Sequence, residues 1–280
     1  MNNHSPITQI NGEDTNCVNA FDRGLYYGHG LFETTRLSGG AIPLWSLHCK
    51  RLAAGASRLG IPCDERMLVE YRDTLLAQCP DNGIVKIVLT AGVGGAGYRP
   101  PASVSPNYLF QWFPFPNYSC DWSSTGTPLF LCKHKLAISS SLAGMKHLNR
   151  LEQVLARAEW GDEYPEGLLL DQQGLVVEGV SSNLFCFRDD QWFTPILADC
   201  GVAGVMREYL MSVLLPALPV PVTESRITLE QLVSSEEVFL CNSVVGIWPV
   251  VSLADRYHWP LGEHVKSIQQ RLKEVLPCYG

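Results

Sequence analysis

The feature that most constrains this chain is the alternation of strand-like and helix-like segments through both of its halves. Leu31–Leu37 alternates as a half-buried strand does, and Ser38-Gly39-Gly40 reads as its turn. Ile42–Trp45 reads as the returning strand, and Ser46 as the cap of a helix running to about Leu59, with His48, Leu52, Gly55 and Leu59 in one register. Gly60-Ile61-Pro62 ends that helix, and Asp64 caps another whose stripe is Leu68, Tyr71, Leu75 and Leu76. IVKIVLT after Gly83 has the length and β-branching of a buried strand, and NYLFQWF is the next strand. Lys146 opens the most helical segment, KHLNRLEQVLARAEW, where Leu148, Leu151, Leu155 and Ala158 recur at three- and four-residue steps. GLLLDQQGLVVEG then reads as strand, turn and strand, followed by the strand LFCFR. GVAGVMREYLMSVLL reads as a glycine-rich loop entering a helix, and EVFLCN as a strand. Such mixing specifies an α+β or α/β architecture.

At 280 residues and 46% hydrophobic content the chain can bury a full core or two moderate ones. The proline-containing polar stretch from Pro114 to Pro128 shows no periodicity and reads as a connection. We therefore expect a smaller N-terminal α/β domain over 1–115 and a larger C-terminal domain over 116–280. A net charge of -7 argues against a nucleic-acid partner, whereas a small anionic substrate fits if arginines gather in one pocket. The longest apolar stretches, such as Val213–Val222, are short and broken by prolines, so no membrane contact is expected. The start MNNHSPITQING lacks the order of a signal peptide, which places the protein in the cytoplasm. The ten cysteines are scattered and none forms a C-x-x-C pair, so they read mostly as small buried hydrophobes and no metal site is expected.

Several residues carry chemistry. Lys146 sits among small and apolar neighbours, Ala143-Gly144-Met145 before it and Leu148 and Leu151 after it. Partial desolvation and a helix start both favour a neutral amine, which can form an imine with an aldehyde. Glu178 ends a strand and leads into Gly179-Val180-Ser181-Ser182-Asn183; it suits an acid that keeps a heteroaromatic ring nitrogen protonated. Gly201–Arg207 places glycines before a helix, so that the amides of Val205 and Met206 point toward an anion. Asn242 and Ser243, after a strand, are further donors, and Arg51 is the candidate cation. Taken singly, each has an ordinary reading as a surface charge or a tight turn.

Their order does not. LAGMKHLNRLEQVLARAEW, DRGLYYGHGLFETTR, HCKRL, VVEGVSSNLF, GVAGVMR and LCNSVVGIWPV together resemble the fold-type IV pyridoxal-phosphate enzymes, which include branched-chain and D-amino-acid aminotransferases. Within that group the chain is most similar to the aminodeoxychorismate lyases. The resemblance runs from Asp22 to Val250. It implies a two-domain fold with pyridoxal 5'-phosphate between the domains, Lys146 as the Schiff-base lysine and Glu178 as the partner of the pyridine nitrogen. It also implies Arg51, Val205, Met206 and Ser243 at the phosphate, Asn242 beside it, and Val202 on a face of the ring. A homodimer is implied as well.

The activity so implied converts 4-amino-4-deoxychorismate to 4-aminobenzoate and pyruvate, a step of folate biosynthesis. Lys146 would take a proton from the carbon bearing the nitrogen and return it to the leaving group. Two substrate carboxylates call for cations or hydroxyls. The loop Gly92–Tyr98 resembles a G-x-G-G-R-G-Y pattern of some lyases, but Ala96 stands where the arginine would be. Arg99 is the candidate replacement, with Thr34, Thr35, Arg36, Tyr26, Tyr98 and Tyr108 as further substrate candidates. His29 lies where the family commonly carries an acid. Two other readings remain open: an aminotransferase of D- or branched-chain amino acids, and a non-catalytic protein that keeps the fold.

Overall fold

A computed structural model describes residues 5–116, 121–217 and 220–280. Part of the expected connection, 117–120, lies outside the described residues. The chain divides into two compact units, Met1–Asn117 with Met145–Asn149, and Tyr118–Gly144 with Arg150–Gly280. Mixed helices and sheets make up both, in keeping with the α+β reading.

The first unit contains β1 (Ile7–Ile10), β2 (Glu13–Asp14), α1 (Arg23–Tyr27), β3 (Gly30–Leu37), α2 (Trp45–Leu59), α3 (Glu65–Leu76), β4 (Gly83–Thr90) and β5 (Asn107–Phe113). Its sheet is antiparallel in the order β2-β1-β5-β4-β3. Side chains alternate across a strand, so each strand offers one face to the core. Leu31, Glu33, Thr35 and Leu37 of β3, Val85, Ile87 and Leu89 of β4, and Tyr108, Phe110 and Trp112 of β5 are buried. They pack under His48, Leu52, Gly55 and Ala56 of α2 and Leu68 and Leu75 of α3. Phe32, Thr34 and Arg36, with Lys86 opposite Thr34, take the other, less covered face.

Local signals account for most boundaries. Asp64 caps α3 by accepting from the Arg66 N–H, and Gly60 closes α2 at φ 67°. Two expectations fail here. Ile42–Trp45 is no strand: a single bridge between Ser38 and Ala41 closes the turn, and α2 begins at Trp45 after Leu44 at φ 57°. Ser46 therefore lies inside the helix and caps nothing. Only Ile42, Pro43 and Leu44 separate Ala41 from α2, and with Leu44 left-handed they are too few to build a return strand.

The second unit contains α4 (Trp122–Thr125), β6 (Thr127–Leu136), α5 (Leu151–Arg157), β7 (Glu166–Asp171), β8 (Leu175–Gly179), β9 (Asn183–Arg188) and β10 (Gln191–Pro195). It continues with α6 (Val205–Tyr209), β11 (Val222–Ser225), β12 (Ile227–Thr228), α7 (Leu229–Val233), β13 (Glu237–Asn242), β14 (Gly246–Leu253), β15 (Tyr257–His258) and α8 (Glu263–Val275). Its sheet runs β11-β10-β9-β13-β14-β6-β7-β8-β12, with β15 on β14. β6 pairs in parallel with β7 and β14, and β10 with β11, while the other pairs are antiparallel. All six residues of β7 are buried, as a strand covered on both sides requires. Phe185 and Phe239 stack at 4.8 Å on neighbouring strands. Among the described residues no helix is long and apolar enough to cross a membrane.

The surroundings of Lys146 also differ from expectation. No helix starts there: α5 begins at Leu151, and Met145–Asn149 runs along β3, which is the free edge of the first unit's sheet. The Phe32 N–H donates to the Lys146 carbonyl at 2.9 Å, the Leu148 N–H to Gly30 at 3.0 Å, and the Asn149 amide to the Gly28 carbonyl at 3.3 Å. Tertiary pairing has taken the backbone groups that a helix would have used. The expected leucine stripe is consequently not the buried face: Leu151 and Leu155 are exposed, and Ala156 is buried.

Gly30 makes this pairing possible. A Cβ there would lie 2.5 Å from the Leu89 carbonyl oxygen and 2.7 Å from Leu148 Cδ1. Gly30→Ala is expected to destabilise the fold by about 1–3 kcal/mol, the usual cost of overpacking. Urea melts of the purified variant beside the parent check this.

Candidate active site

The first unit holds a cationic face. Lys146 is half-buried, and its Nζ lies 4.4 Å from the centre of the Phe32 ring. Lys86 approaches the same ring at 5.6 Å, and Thr34 pairs with Lys86 across the sheet. Arg36, two residues on from Thr34, stacks on Phe115 at 4.7 Å. Phe32, Thr34, Arg36, Lys86 and Lys146 thus share one surface. Phe32 and Lys86 carry no signal in the linear pattern; pairing register alone brings them beside Lys146. Thr35 and Tyr108 are not brought there. Thr35 is fully buried with its hydroxyl donating to the Val85 carbonyl, and Tyr108 lies on the core face, its phenol oxygen accepting from the Asp64 N–H. Period-two alternation sends both to the other side of the sheet.

Arg51 also comes from that core face. Its Nε donates to Glu33 Oε1 at 2.8 Å and its Nη2 to Glu33 Oε2, making a forked pair. His48 Nδ1 lies 2.6 Å from the same Oε2, and all three side chains are buried or nearly so. Burial alone would push the Glu33 carboxyl up, yet Arg51 and His48 hold it down at about 2. The His48 imidazole is pushed down, chiefly by burial, with the charges of Arg51 and Lys146 acting the same way.

Tyr26, Tyr98 and Arg99 are exposed. Tyr26 meets Tyr27 at 5.9 Å, and Tyr27 meets Tyr98 at 5.4 Å, so the two candidate tyrosines belong to one aromatic cluster.

In the second unit, buried Glu178 sits at the centre of an ordered loop cluster. Its Oε2 accepts from the Val202 N–H at 2.8 Å and from the Asn183 amide at 3.4 Å, and the same amide donates to the Val202 carbonyl. No sequence pattern singles out Asn183 for these bonds; only its place at the end of VSSN hints at it. Gly201 must be glycine: its φ is +81°, and a Cβ would meet Val177 at 2.8 Å and Glu178 Oε2 at 3.2 Å. Gly204 starts α6 with no side-chain cap, leaving Val205 and Met206 in the first turn, where N–H groups lack partners within the helix. A second buried carboxylate, Glu166, accepts from the Ser181 N–H and hydroxyl and from the Ser182 hydroxyl, which fixes the loop after Glu178. Asn242 spends its amide on the turn: the oxygen accepts from Val244 and Val245, and the nitrogen donates to the Ser181 carbonyl. Ser243 is buried beside it, its carbonyl accepting from the Tyr279 hydroxyl.

Chain connectivity links these groups. The Gly144 N–H donates to Gly201 and the Gly144 carbonyl accepts from Ala203, flanking the Val202 that bonds Glu178; Lys146 follows two residues later.

The chain matches the amino-transferase class IV family over residues 30–253 and belongs to it. It is 35% identical to an aminodeoxychorismate lyase of Vibrio harveyi over 94% of this chain and 98% of that one. The crystal structure of a 4-amino-4-deoxychorismate lyase from Pseudomonas aeruginosa superposes with a TM-score of 0.91 at 43% identity, covering 96% of this chain and 99% of that one. The Escherichia coli branched-chain amino acid aminotransferase shares the fold, with a TM-score of 0.81 at 24% identity over 94% and 92% of the two chains.

Glu33 is the keystone of the first unit's buried charges. Because its folded pKa of about 2 lies below the ordinary 4.5, its contribution is complete above pH 4.5 and fades as pH falls from there to 2. Glu33→Gln leaves Arg51 without its counter-charge and is expected to cost about 3–5 kcal/mol at pH 7. In denaturant melts across pH, the gap between parent and variant should close below pH 4.5.

Proposed function

We propose that this chain is a pyridoxal-phosphate-dependent lyase that cleaves 4-amino-4-deoxychorismate to 4-aminobenzoate and pyruvate. The observation that carries this reading is the placement of Lys146: a half-buried amine anchored by its own backbone to β3, on a face shared with the cations Lys86 and Arg36. Such a face suits a substrate with two carboxylates. The likeness to two lyases, at 35% and 43% identity over nearly whole chains, favours the lyase over the more distant aminotransferases.

The residues fit the cofactor. Glu178 is buried, bonded on one oxygen by Val202 and Asn183, and near the charge of Arg150, so it is suited to pair with a protonated ring nitrogen. In the second unit the first-turn amides at Val205 and Met206, with Ser243, would hold a phosphate and Val202 would hold the ring; in the first unit the resemblance assigns Arg51, forked onto Glu33, as a phosphate cation. When bound, the cofactor supplies an electron sink for the substrate carbon next to the nitrogen.

The chain does the rest. Lys146 Nζ would hold the cofactor and, as a neutral amine, would remove the proton from the substrate carbon bearing the nitrogen. As an ammonium it then delivers the proton to the departing enolpyruvyl group, which leaves as pyruvate. Aromatisation of the remaining ring drives the step, and no keto-acid acceptor is consumed.

The same reading makes the protein a cytoplasmic homodimer. Exposed Phe21, Leu25 and Tyr26 in the first unit, and Leu151, Val154 and Leu155 along α5 in the second, offer apolar surface of the kind that partners cover.

The purified protein mixed with aminodeoxychorismate is expected to yield 4-aminobenzoate and pyruvate without added keto acid. Lys146→Ala should lose this activity together with visible cofactor absorbance. Product formed only when a keto acid is supplied would favour transamination instead.

A further inference from the structure

The chain contains a buried arginine that no cofactor role absorbs. Arg23 opens α1 and is 4% exposed, yet its hydrogen-bond partners among the described residues include no carboxylate. Its Nη1 donates to the carbonyls of Gly94 at 3.1 Å and Gly97 at 3.0 Å, and its Nη2 to that of Tyr98 at 3.2 Å. Its Nε donates to His29 Nδ1 at 3.2 Å. That bond requires a lone pair on Nδ1, so the imidazole carries its proton on Nε2, 2.9 Å from the Leu59 carbonyl. His29, which stands where the family commonly has an acid, is therefore an acceptor for Arg23.

The glycine-rich loop is wrapped around this guanidinium. Gly92, Gly94, Gly95 and Gly97 all have positive φ, and a Cβ on Gly95 would lie 2.9 Å from Arg23 Nη1. The Arg23 N–H donates to Gly92, and Ala96 and Arg99 close the loop's tip with reciprocal bonds at 3.2 and 3.1 Å. Arg23 also lies 4.8 Å over the Tyr27 ring, which touches Tyr98. Desolvating a guanidinium to collect neutral carbonyls is unfavourable unless the geometry it enforces matters. What it enforces is a fixed loop holding Tyr98 at 87% exposure beside exposed Arg99. An exposed ring beside an exposed guanidinium offers both a stacking face and a charge to an anionic, ring-bearing ligand.

We propose that Arg23 is a positioning residue for substrate binding: it shapes loop 92–99 into an arm that offers Tyr98 and Arg99 to the substrate. The identity of that substrate rests on the lyase reading above. Lysine cannot replace Arg23, since three loop carbonyls and an imidazole need the planar fork.

The test uses the cofactor-loaded enzyme with Arg23→Met and, separately, Tyr98→Ala. For Arg23→Met, amide hydrogen exchange should quicken within 92–99 and not across the β3–β4–β5 sheet. KM for aminodeoxychorismate should rise about tenfold with kcat nearly kept, the pattern of lost uniform binding. The visible cofactor absorbance should stay. Tyr98→Ala should raise KM similarly without changing loop exchange or melting. Unchanged exchange in Arg23→Met, or unchanged KM in both variants, overturns the proposal. If Arg23→Met does not fold, the KM of Tyr98→Ala decides. A parent enzyme that makes no 4-aminobenzoate overturns the lyase reading instead, and loop exchange alone then decides whether Arg23 shapes the arm.

Discussion

Everything proposed for Lys146 depends on two backbone hydrogen bonds along one strand edge. Phe32 donates to Lys146 and Leu148 donates to Gly30, so five residues from the middle of the chain complete the sheet of the first unit. An amine on a helix start would turn with the helix; an amine on a paired strand has its direction fixed by the pleat. The pairing also covers the edge of β3, which would otherwise present unpaired donors and acceptors to solvent. Gly30 and Gly28, with no side chains in the way, let the segment approach.

The buried polar groups divide the same labour. Glu33 gathers Arg51 and His48 beneath the sheet, and Glu166 gathers Ser181 and Ser182 in the second unit. Neither carboxylate is placed to react. Each holds the side chains around it in place, through bonds that are strong because water is excluded.

Much of the fold is legible in local signals. The alternation of Leu31–Leu37, the capping of α3 by Asp64 and the glycine entry to α6 all survive folding. The stripe Leu148–Leu155 misleads because hydrophobic spacing does not say whether backbone groups have a better partner elsewhere. Phe32 and Lys86 escape any pattern, since register places them beside Lys146. His29 becomes intelligible only when the acceptor need of Arg23 is visible. Asn242 is a donor position in the linear chain, and the turn it closes is seen only in three dimensions.

The strict alternation of β3 has a wider consequence. Its odd-numbered side chains, Leu31 to Leu37, hold the core together, while Phe32, Thr34 and Arg36 face outward. Adaptation to a new ligand can therefore proceed by exchanging even-numbered residues while the interior stays intact. One strand thus separates inheritance of the fold from invention of specificity, a partition that lets a single scaffold diversify among chemistries.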